Sequence, residues 1–181
     1  MGQYYLAIIL GEKGHDSEII RIFMSPFNSG MKLMEHSYLK NSFVNTFESL
    51  LAPDGIFYKS RVVWAGDYAD DELDQGKNLH DIAYNQPKKD FTNLCQSITP
   101  LDNYQYIINH TKKQYIDKKK HHKYHPLPLL VAEGNGRGGG DYRGINENII
   151  GTWARDVLSV DNIIPGDHVE LVCKFDDHHD D

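Results

Sequence analysis

The stretch from Gly134 to Gly144 (GNGRGGGDYRG) contains six glycines in eleven residues, the most unusual feature of this sequence. Glycine loses more backbone freedom on folding than any other residue, so it persists where the chain path or a ligand demands it. Exposed backbone N–H groups in such a loop can form an anion-binding nest, and an arginine adds a forked donor. We therefore predict a loop that holds an anionic or nucleotide-like ligand. The predicted ligand-binding residues are Gly134, Asn135, Gly136, Arg137, Gly138, Gly139, Gly140, Asp141, Tyr142 and Arg143.

The sequence leaves two interpretations of this loop open. Gly134, Gly136 and Gly139 satisfy the G-x-G-x-x-G pattern, but a dinucleotide-binding loop must open onto a helix, and no helical stripe follows. A phosphate loop ending in Gly-Lys-Ser/Thr is also absent from the sequence. What remains is either a general anion-binding nest or a loop whose glycines let it cross tightly over a sheet.

Acidic and histidine side chains at two further places have the types needed for acid–base chemistry. Glu35 and His36 are neighbours in KLMEHS and would suit a general acid/base pair. Asp67, Asp70 and Asp71 follow a predicted strand, and carboxylate oxygens there would suit a hard cation such as Mg²⁺. The alternatives are a helix-terminal pair, in which Glu35 favours the helix dipole, and a solvated acidic turn. The catalytic hypothesis rests on Glu35, His36, Asp67 and Asp70, and no other metal site is predicted.

Positive charge is concentrated shortly before the Gly-rich loop. Such a run either attracts a phosphate-bearing ligand or keeps an exposed hairpin soluble. His121, His122 and His125 have a spacing that zinc sites use, but neighbouring lysines would repel a cation and Pro126 favours an extended His125. A solvated basic loop is therefore predicted. The lysines of this run are Lys112, Lys113, Lys118, Lys119, Lys120 and Lys123.

The elements that must position these residues are predicted from hydrophobic periodicity. The pattern indicates an α+β fold, a largely antiparallel sheet built from hairpins with one main amphipathic helix, about residues 37–51, packed on one face. Apolar residues at spacings of four, four and three form the stripe of that helix: Leu39, Phe43, Phe47 and Leu50. Residues 4–10 and 19–23 are predicted to form one hairpin, and 104–108 and 114–116 another. The other predicted strands are 61–65, 129–132, 149–154 and 169–175.

Length and composition limit the class of protein. With 181 residues, of which 40% are hydrophobic and 25% charged, the chain is expected to form one globular domain, residues 1–175, followed by an acidic and histidine-rich disordered tail, residues 176–181. A net charge of −7 argues against a general nucleic-acid or membrane-surface binder. The two cysteines, Cys95 and Cys173, suit a reducing compartment, so a soluble, cytoplasmic protein is predicted.

Five strings together resemble a family of uncharacterised proteins of bacteria, phages and large DNA viruses. They are KLMEHS (32–37), WAGDYAD (64–70), HPLPLL (125–130), GNGRGGGDY (134–142) and GTWARD (151–156). The strings are spread over nearly the whole chain and are specific in combination. The resemblance implies a stand-alone soluble domain, in the host cytoplasm if it is virus-encoded, but it implies no activity, cofactor or catalytic residue.

Three hypotheses of function follow, in order of preference. The first is a soluble binding module that holds a small anionic ligand at the Gly-rich loop. The second is a phosphate-ester hydrolase or transferase, with or without Mg²⁺, in which the four catalytic candidates share one cleft with Arg137. The third is a protein-interaction or structural protein without a small-molecule site, which predicts an exposed apolar patch or an oligomer.

Overall fold

An eight-stranded sheet frames the fold in the computed structural model, which describes residues 2–12, 18–99, 103–135 and 142–176. The strands are β1 (Tyr5–Leu10), β2 (Ile20–Met24), β3 (Ser60–Gly66), β4 (Tyr106–Asn109), β5 (Gln114–Asp117), β6 (Ala132–Glu133), β7 (Val157–Asp161) and β8 (Val169–Glu170). Their spatial order is β2-β1-β3-β7-β4-β5-β8, and β6 pairs with β3 off this path. The described pairs are antiparallel except β3 with β6 and β5 with β8. The predicted largely antiparallel sheet is confirmed.

Both predicted hairpins are present. In the first, β1 and β2 place Ala7 opposite Met24, and in the second, β4 and β5 place Ile107 opposite Ile116. β1 lies between β2 and β3 and is buried along its whole length, as its apolar residues on both faces require. The β4–β5 hairpin joins the rest of the sheet through β7, which was not predicted from the sequence.

Five short helices accompany the sheet. They are α1 (Leu33–His36), α2 (Ser42–Leu50), α3 (Leu79–Tyr84), α4 (Thr92–Gln96) and α5 (Pro126–Val131), with 3₁₀ turns at Pro87–Lys89, Lys118–Lys120 and Glu147–Ile149. The main helix, α2, begins later than predicted, because Lys40 has a left-handed φ of 65° and Asn41 caps the helix. The Asn41 side chain accepts the Val44 N–H at 3.1 Å, which satisfies one free donor of the first turn. Within the described residues, every helix falls short of the length and apolar character required to traverse a membrane.

Two predicted strands are wrong. Residues 129–132 belong mostly to α5, which starts with Pro126 at its first position and is capped by His125 Nδ1, acceptor of the Leu127 N–H at 3.2 Å. A short apolar run that is buried all round has no period, so it does not distinguish a helix from a strand. Residues 149–154 form a turn, in which Gly151 adopts a φ of 73°. The predicted strand at 169–175 is reduced to β8.

The two faces of the sheet carry separate apolar cores. On one face, Trp64 of β3 packs against Phe47 of α2, with ring centroids 4.7 Å apart, and α5 covers the same face. On the other face, Val63 and Ala65 pack against Leu79 of α3. One helix on one face was predicted, and the main helix α2 does lie there. The α3 layer comes from residues 72–100, which are polar and weakly patterned and therefore predict a loop with at most a short helix.

Arg155 ties together three distant segments of the chain. Its guanidinium contacts Glu133 through Nε at 2.8 Å, Glu72 through Nη1 at 3.0 Å and Glu18 through Nη1 at 3.3 Å. Arg61 forms a second forked pair with Glu18, with oxygen–nitrogen distances of 2.6 and 2.9 Å. Burial would lower the pKa of Arg155, but the bonds to Glu72 and Glu133 raise it overall, so this arginine is a permanent charge. We call these five residues the Arg155 network.

Candidate functional site

The candidate pair Glu35 and His36 is engaged in holding the backbone around α1. Glu35 Oε2 accepts the N–H of Lys32 at 3.0 Å, and the Glu35 N–H returns to the Lys32 carbonyl at 2.9 Å. His36 is fully buried, receives the indole N–H of Trp64 at its Nε2 at 3.0 Å, and has its Nδ1 3.1 Å from the carbonyl of Gly30. Both ring nitrogens therefore have partners within the fold, and neither is left to exchange a proton with a substrate.

The environment of His36 predicts a pH dependence of stability. Burial lowers the pKa of His36 from 6.5 to about 4, so the folded protein resists a proton that the unfolded chain accepts. Stability is therefore complete above pH 6.5 and falls as the pH drops towards 4, by about 2 kcal/mol at pH 5 for this one group. Urea unfolding at pH 7.5 and 5.0 measures the drop, which should be smaller in His36→Gln.

The exposed His122 provides the control for that measurement. His122→Gln should keep the pH dependence of the unmutated protein, because an exposed ring gains little from folding in either protonation state. An unchanged slope in His36→Gln would contradict the assignment.

Asp67 and Asp70 follow β3, and hydrogen bonds of Asp67 hold the backbone there. Asp67 Oδ1 accepts the N–H of Tyr4 at 3.0 Å, and its carbonyl accepts from the Asn78 side chain at 3.0 Å. Asp70 is exposed in the next turn. Tyr4 is also bridged to Lys32, so Glu35 and Asp67 lie at the same end of the sheet, each bound to a backbone N–H. Among the described residues no group of three or more His, Cys, Asp or Glu side chains could hold a metal ion, and a role for Mg²⁺ stays a prediction.

The Gly-rich loop is described at its two ends only. Gly136, Arg137, Gly138, Gly139, Gly140 and Asp141 lie outside the described residues, so their predicted role stays a prediction. At the entrance, a Cβ on Gly134 would come 2.1 Å from Gln3 Oε1, and the same oxygen accepts the Asn135 N–H at 2.9 Å. Close packing against the side chains of Gln3 and Tyr5 therefore accounts for that glycine.

The exit of the loop is also packed against the fold. Tyr142 is buried, with its ring edge-on to Tyr124 at 6.0 Å and its hydroxyl donating to the Ile145 carbonyl at 2.5 Å. A Cβ on Gly144 would meet the carbonyl of Asp176 at 2.4 Å. Arg143 is exposed. Of the predicted ligand-binding residues that are described, Arg143 is the one whose side chain faces solvent and carries charge.

A polar cleft lies elsewhere, between the start of α2 and one end of the sheet. The start of β4 and the ends of β5 and β7 meet there, because β4 runs antiparallel to both neighbours. The cleft has a volume of about 270 Å³, and we call it the α2 cleft. Its lining residues are Leu39, Lys40, Asn45, Asn103, Tyr104, Gln105, Lys118, Lys119, His125 and Asn162.

The charged side chains that line the α2 cleft are positive. Three of its lining residues are lysines and none is acidic, in a chain of net charge −7. Lys40 and Lys119 are exposed and have no ion-pair partner within the described part of the chain. Lys40 also stands directly before the cap of α2, whose N-terminus carries partial positive charge. The exposed lysines therefore offer positive charge to a small anion. Two carboxylates, of Asp54 and Asp117, bond to side chains of the lining and reduce that charge.

A fully buried carboxylate supports the inner wall of the α2 cleft. Glu48 Oε2 accepts from the Lys118 ammonium at 2.8 Å, and Glu48 Oε1 lies 3.4 Å from His125 Nε2, an ion-pair contact too long for a strong hydrogen bond. Burial would raise the pKa of Glu48, but His125 and Lys118 together outweigh burial and lower that pKa to about 2. Glu48 is thus ionised at neutral pH and holds Lys118 in place.

His125 itself has no nitrogen free for a ligand. Its Nδ1 accepts the Leu127 N–H, so the ring hydrogen is on Nε2, which points towards Glu48. The solvated basic loop predicted for this region is wrong for three of its members, because Lys118, His121 and His125 are all buried. The spacing of the histidines gave no hint of this, since the partner carboxylate is more than seventy residues away in the chain.

Comparisons with protein-family models, with curated proteins and with solved structures found no match to this chain. The resemblance described from the five strings therefore stays a prediction.

Proposed function

We propose that this protein binds a small anionic ligand in the α2 cleft. The observation that carries the proposal is the charge of the lining, with Lys40, Lys118 and Lys119 and no carboxylate. A ligand there would meet the exposed ammonium groups of Lys40 and Lys119, which have N–H donors to spare. The proposed ligand class is the one predicted from the sequence. The proposed location is new, because the α2 cleft is separate from the Gly-rich loop.

The arrangement favours binding over catalysis. Within the described residues, the titratable groups of the cleft are three lysines, a tyrosine whose hydroxyl donates to Asp54, and a histidine whose two nitrogens face the protein. Glu48 is ionised but sits behind Lys118 and has no exposed surface to offer a substrate. General acid–base chemistry needs a group within hydrogen-bonding reach of the reacting atom, and the cleft offers charge stabilisation instead.

Isothermal titration with inorganic phosphate, pyrophosphate and glycerol phosphate tests the proposal. We expect binding that weakens as the salt concentration rises, since the rim lysines are exposed and their field is screened. The double substitution Lys40→Ala/Lys119→Ala removes two charged donors and should weaken the tightest of these anions at least about tenfold. Lys118 is left intact because its removal would also unpair Glu48.

A second pair of exposed lysines supplies the matched control. Lys77→Ala/Lys88→Ala changes the net charge equally but lies outside the cleft, so the affinity should be retained. Equal losses in both double variants would mean that only overall charge matters and would overturn the α2 cleft as the site. Loss of binding in Arg137→Ala alone, with the lysine variants unaffected, would return the site to the Gly-rich loop.

A further inference from the structure

Asn45 has a buried side chain without a hydrogen-bond partner among the described residues. The residue is 5% exposed, lies in the first turn and a half of α2 and lines the α2 cleft. Its carboxamide makes no hydrogen bond to any described residue, and its polar atoms are not sealed from solvent, so its remaining exposure is to the cleft. Buried polar groups in folded proteins are normally paired, and an unpaired one needs an explanation. A bound molecule with hydroxyl groups would replace solvent as the partner of this carboxamide.

Three more carboxamides line the same cleft. Asn162 donates to the Asn103 carbonyl at 3.1 Å and accepts the Gln105 N–H at 2.9 Å, which fixes its orientation. Gln105 uses its amide nitrogen on Asp117 and keeps its carbonyl oxygen, while the Asn103 side chain is exposed. A carboxamide both donates and accepts, as a hydroxyl does, so a wall of carboxamides matches a polyol better than it matches a hydrocarbon or a bare ion.

An aromatic ring and the size of the cleft narrow the ligand further. Tyr104 has its hydroxyl on Asp54 at 3.2 Å, which leaves its ring as an apolar wall of the cleft. At about 270 Å³ the cleft is just below the volume of pockets for drug-sized ligands, about 300–1,000 Å³. A sugar-sized molecule fits this volume better than a complete nucleotide does.

We propose that the α2 cleft takes a phosphate monoester of a small polyol, the chemical class of the sugar phosphates, and that Asn45 reads its hydroxyl groups. The inference rests on the proposed anion-binding function. In this arrangement the lysines hold the phosphate, and the carboxamide wall holds the body of the ligand. Asn45 determines specificity, and Lys40 and Lys119 determine affinity for any anion.

Titration with glucose 6-phosphate, inorganic phosphate, glucose and adenosine monophosphate separates these roles. We expect glucose 6-phosphate to bind at least about tenfold more tightly than inorganic phosphate, since one satisfied hydrogen bond of a buried amide accounts for about that factor. Asn45→Leu should remove that advantage and leave the affinity for inorganic phosphate unchanged. Lys40→Ala/Lys119→Ala should weaken both phosphates alike.

Control variants keep the outcome decisive. Asn93→Leu makes the same change at an exposed position of α4 and should bind as the unmutated protein does. Asn45→Thr keeps a hydroxyl at the position and should retain part of the selectivity if Asn45→Leu folds poorly. Equal binding of glucose 6-phosphate and inorganic phosphate, or tighter binding of adenosine monophosphate, would overturn the polyol assignment alone. Absence of binding by every anion in a folded protein would overturn the proposed function as well.

Discussion

Replacing Glu48 by glutamine is expected to lower the free energy of unfolding at pH 7 by about 3–5 kcal/mol, the usual cost of breaking a buried ion pair from one side. Glutamine has the same shape, so the cost is not one of packing. It arises because the Lys118 ammonium, 9% exposed in its side chain, would lose the carboxylate 2.8 Å away that compensates its burial. Guanidinium unfolding curves of the two proteins at pH 7 measure the difference.

The pH dependence of this loss identifies its cause. The pKa of Glu48 is lowered from 4.5 to about 2, so its contribution is complete above pH 4.5 and is lost as the pH falls through 2. The two-and-a-half-unit shift corresponds to about 3 kcal/mol, so most of the destabilisation in Glu48→Gln should vanish when both proteins are measured near pH 2. A difference that is the same at pH 7 and pH 2 would show that the charge of Glu48 is irrelevant.

Two further variants separate burial from charge pairing. Glu170→Gln breaks the exposed pair with Lys120 and should cost less than about 1 kcal/mol, because exposed pairs are weak. The double change Glu48→Gln/Lys118→Met should be more stable than Glu48→Gln, since an apolar side chain does not need a partner in the interior. If the double variant were the less stable of the two, Lys118 would have to be compensated by another group.

Replacing Arg155 by alanine is expected to lower the free energy of unfolding by about 3 kcal/mol, because it leaves two partly buried carboxylates without a counter-charge. Glu72 and Glu133 have no other ion-pair partner among the described residues, whereas Glu18 keeps its fork with Arg61. The remaining carboxylates then repel each other in a region that holds the turns before β2 and after β3. Urea unfolding at low and high salt measures the loss, and salt should reduce it by screening the repulsion.

The backbone of Arg155 gives this prediction a second signature. Arg155 has a φ of 67°, a left-handed conformation that costs a non-glycine residue about 1–2 kcal/mol. In the unmutated protein the bonds of the guanidinium offset the cost of this left-handed backbone. In Arg155→Ala those bonds are lost and the backbone strain remains. Arg155→Gly should therefore be more stable than Arg155→Ala by about 1 kcal/mol, although glycine is the more flexible residue in the unfolded chain.

Arg143 is the matched control for Arg155. It is exposed and outside the network, so Arg143→Ala should change the free energy of unfolding by less than about 0.5 kcal/mol. A loss in Arg155→Ala no larger than that in Arg143→Ala would mean that the five-residue network contributes nothing to stability. Arg155→Ala also tests the support of the Gly-rich loop, because Arg155 bonds Glu133 and Glu133 immediately precedes Gly134.

Glu48 and the Arg155 network each support one of the two candidate ligand-binding segments. Glu48 orients a lysine that faces the α2 cleft, while the Arg155 network anchors the strand that leads into the Gly-rich loop. Each is an ionic cluster that holds a candidate ligand-binding segment in position. Stability measurements on these variants, followed by phosphate titration, show which of the two segments the ligand needs.

Local pattern alone determined the fold class of this protein. The apolar and β-branched runs of β1, β2 and β3 and the alternation in β4 and β5 were sufficient to predict two hairpins and a mostly antiparallel sheet. The stripe of Phe43, Phe47 and Leu50 was sufficient to predict the main helix, because a period of 3.6 residues is visible within ten residues of chain. These predictions depend on neighbours in sequence, and local physics decides them.

Tertiary contacts decided the elements that the pattern got wrong. The run from Leu129 to Ala132 is apolar throughout. All of it except Ala132 is helix, because Pro126 starts the helix, His125 caps it and the core packs around it. β7 was missed because its residues are half polar, with Ser159 between two buried apolar positions. Ser159 is tolerated there because its hydroxyl bonds the His110 ring at 2.8 Å across the sheet.

The α2 cleft could not be predicted from the sequence, because tertiary contacts assemble it. The basic run around Lys118 is evident in the sequence, but a run of lysines can form either a solvated surface or a site for an anion. Only the antiparallel pairing of β4 with β5 and β7 brings Lys118, Gln105 and Asn162 to one end of the sheet, next to Lys40 and Asn45 of the α2 region. Glu48 and Lys118 are seventy residues apart in the chain and 2.8 Å apart in the fold. Residue types limit which chemistry is available, and long-range packing decides which of those residues meet.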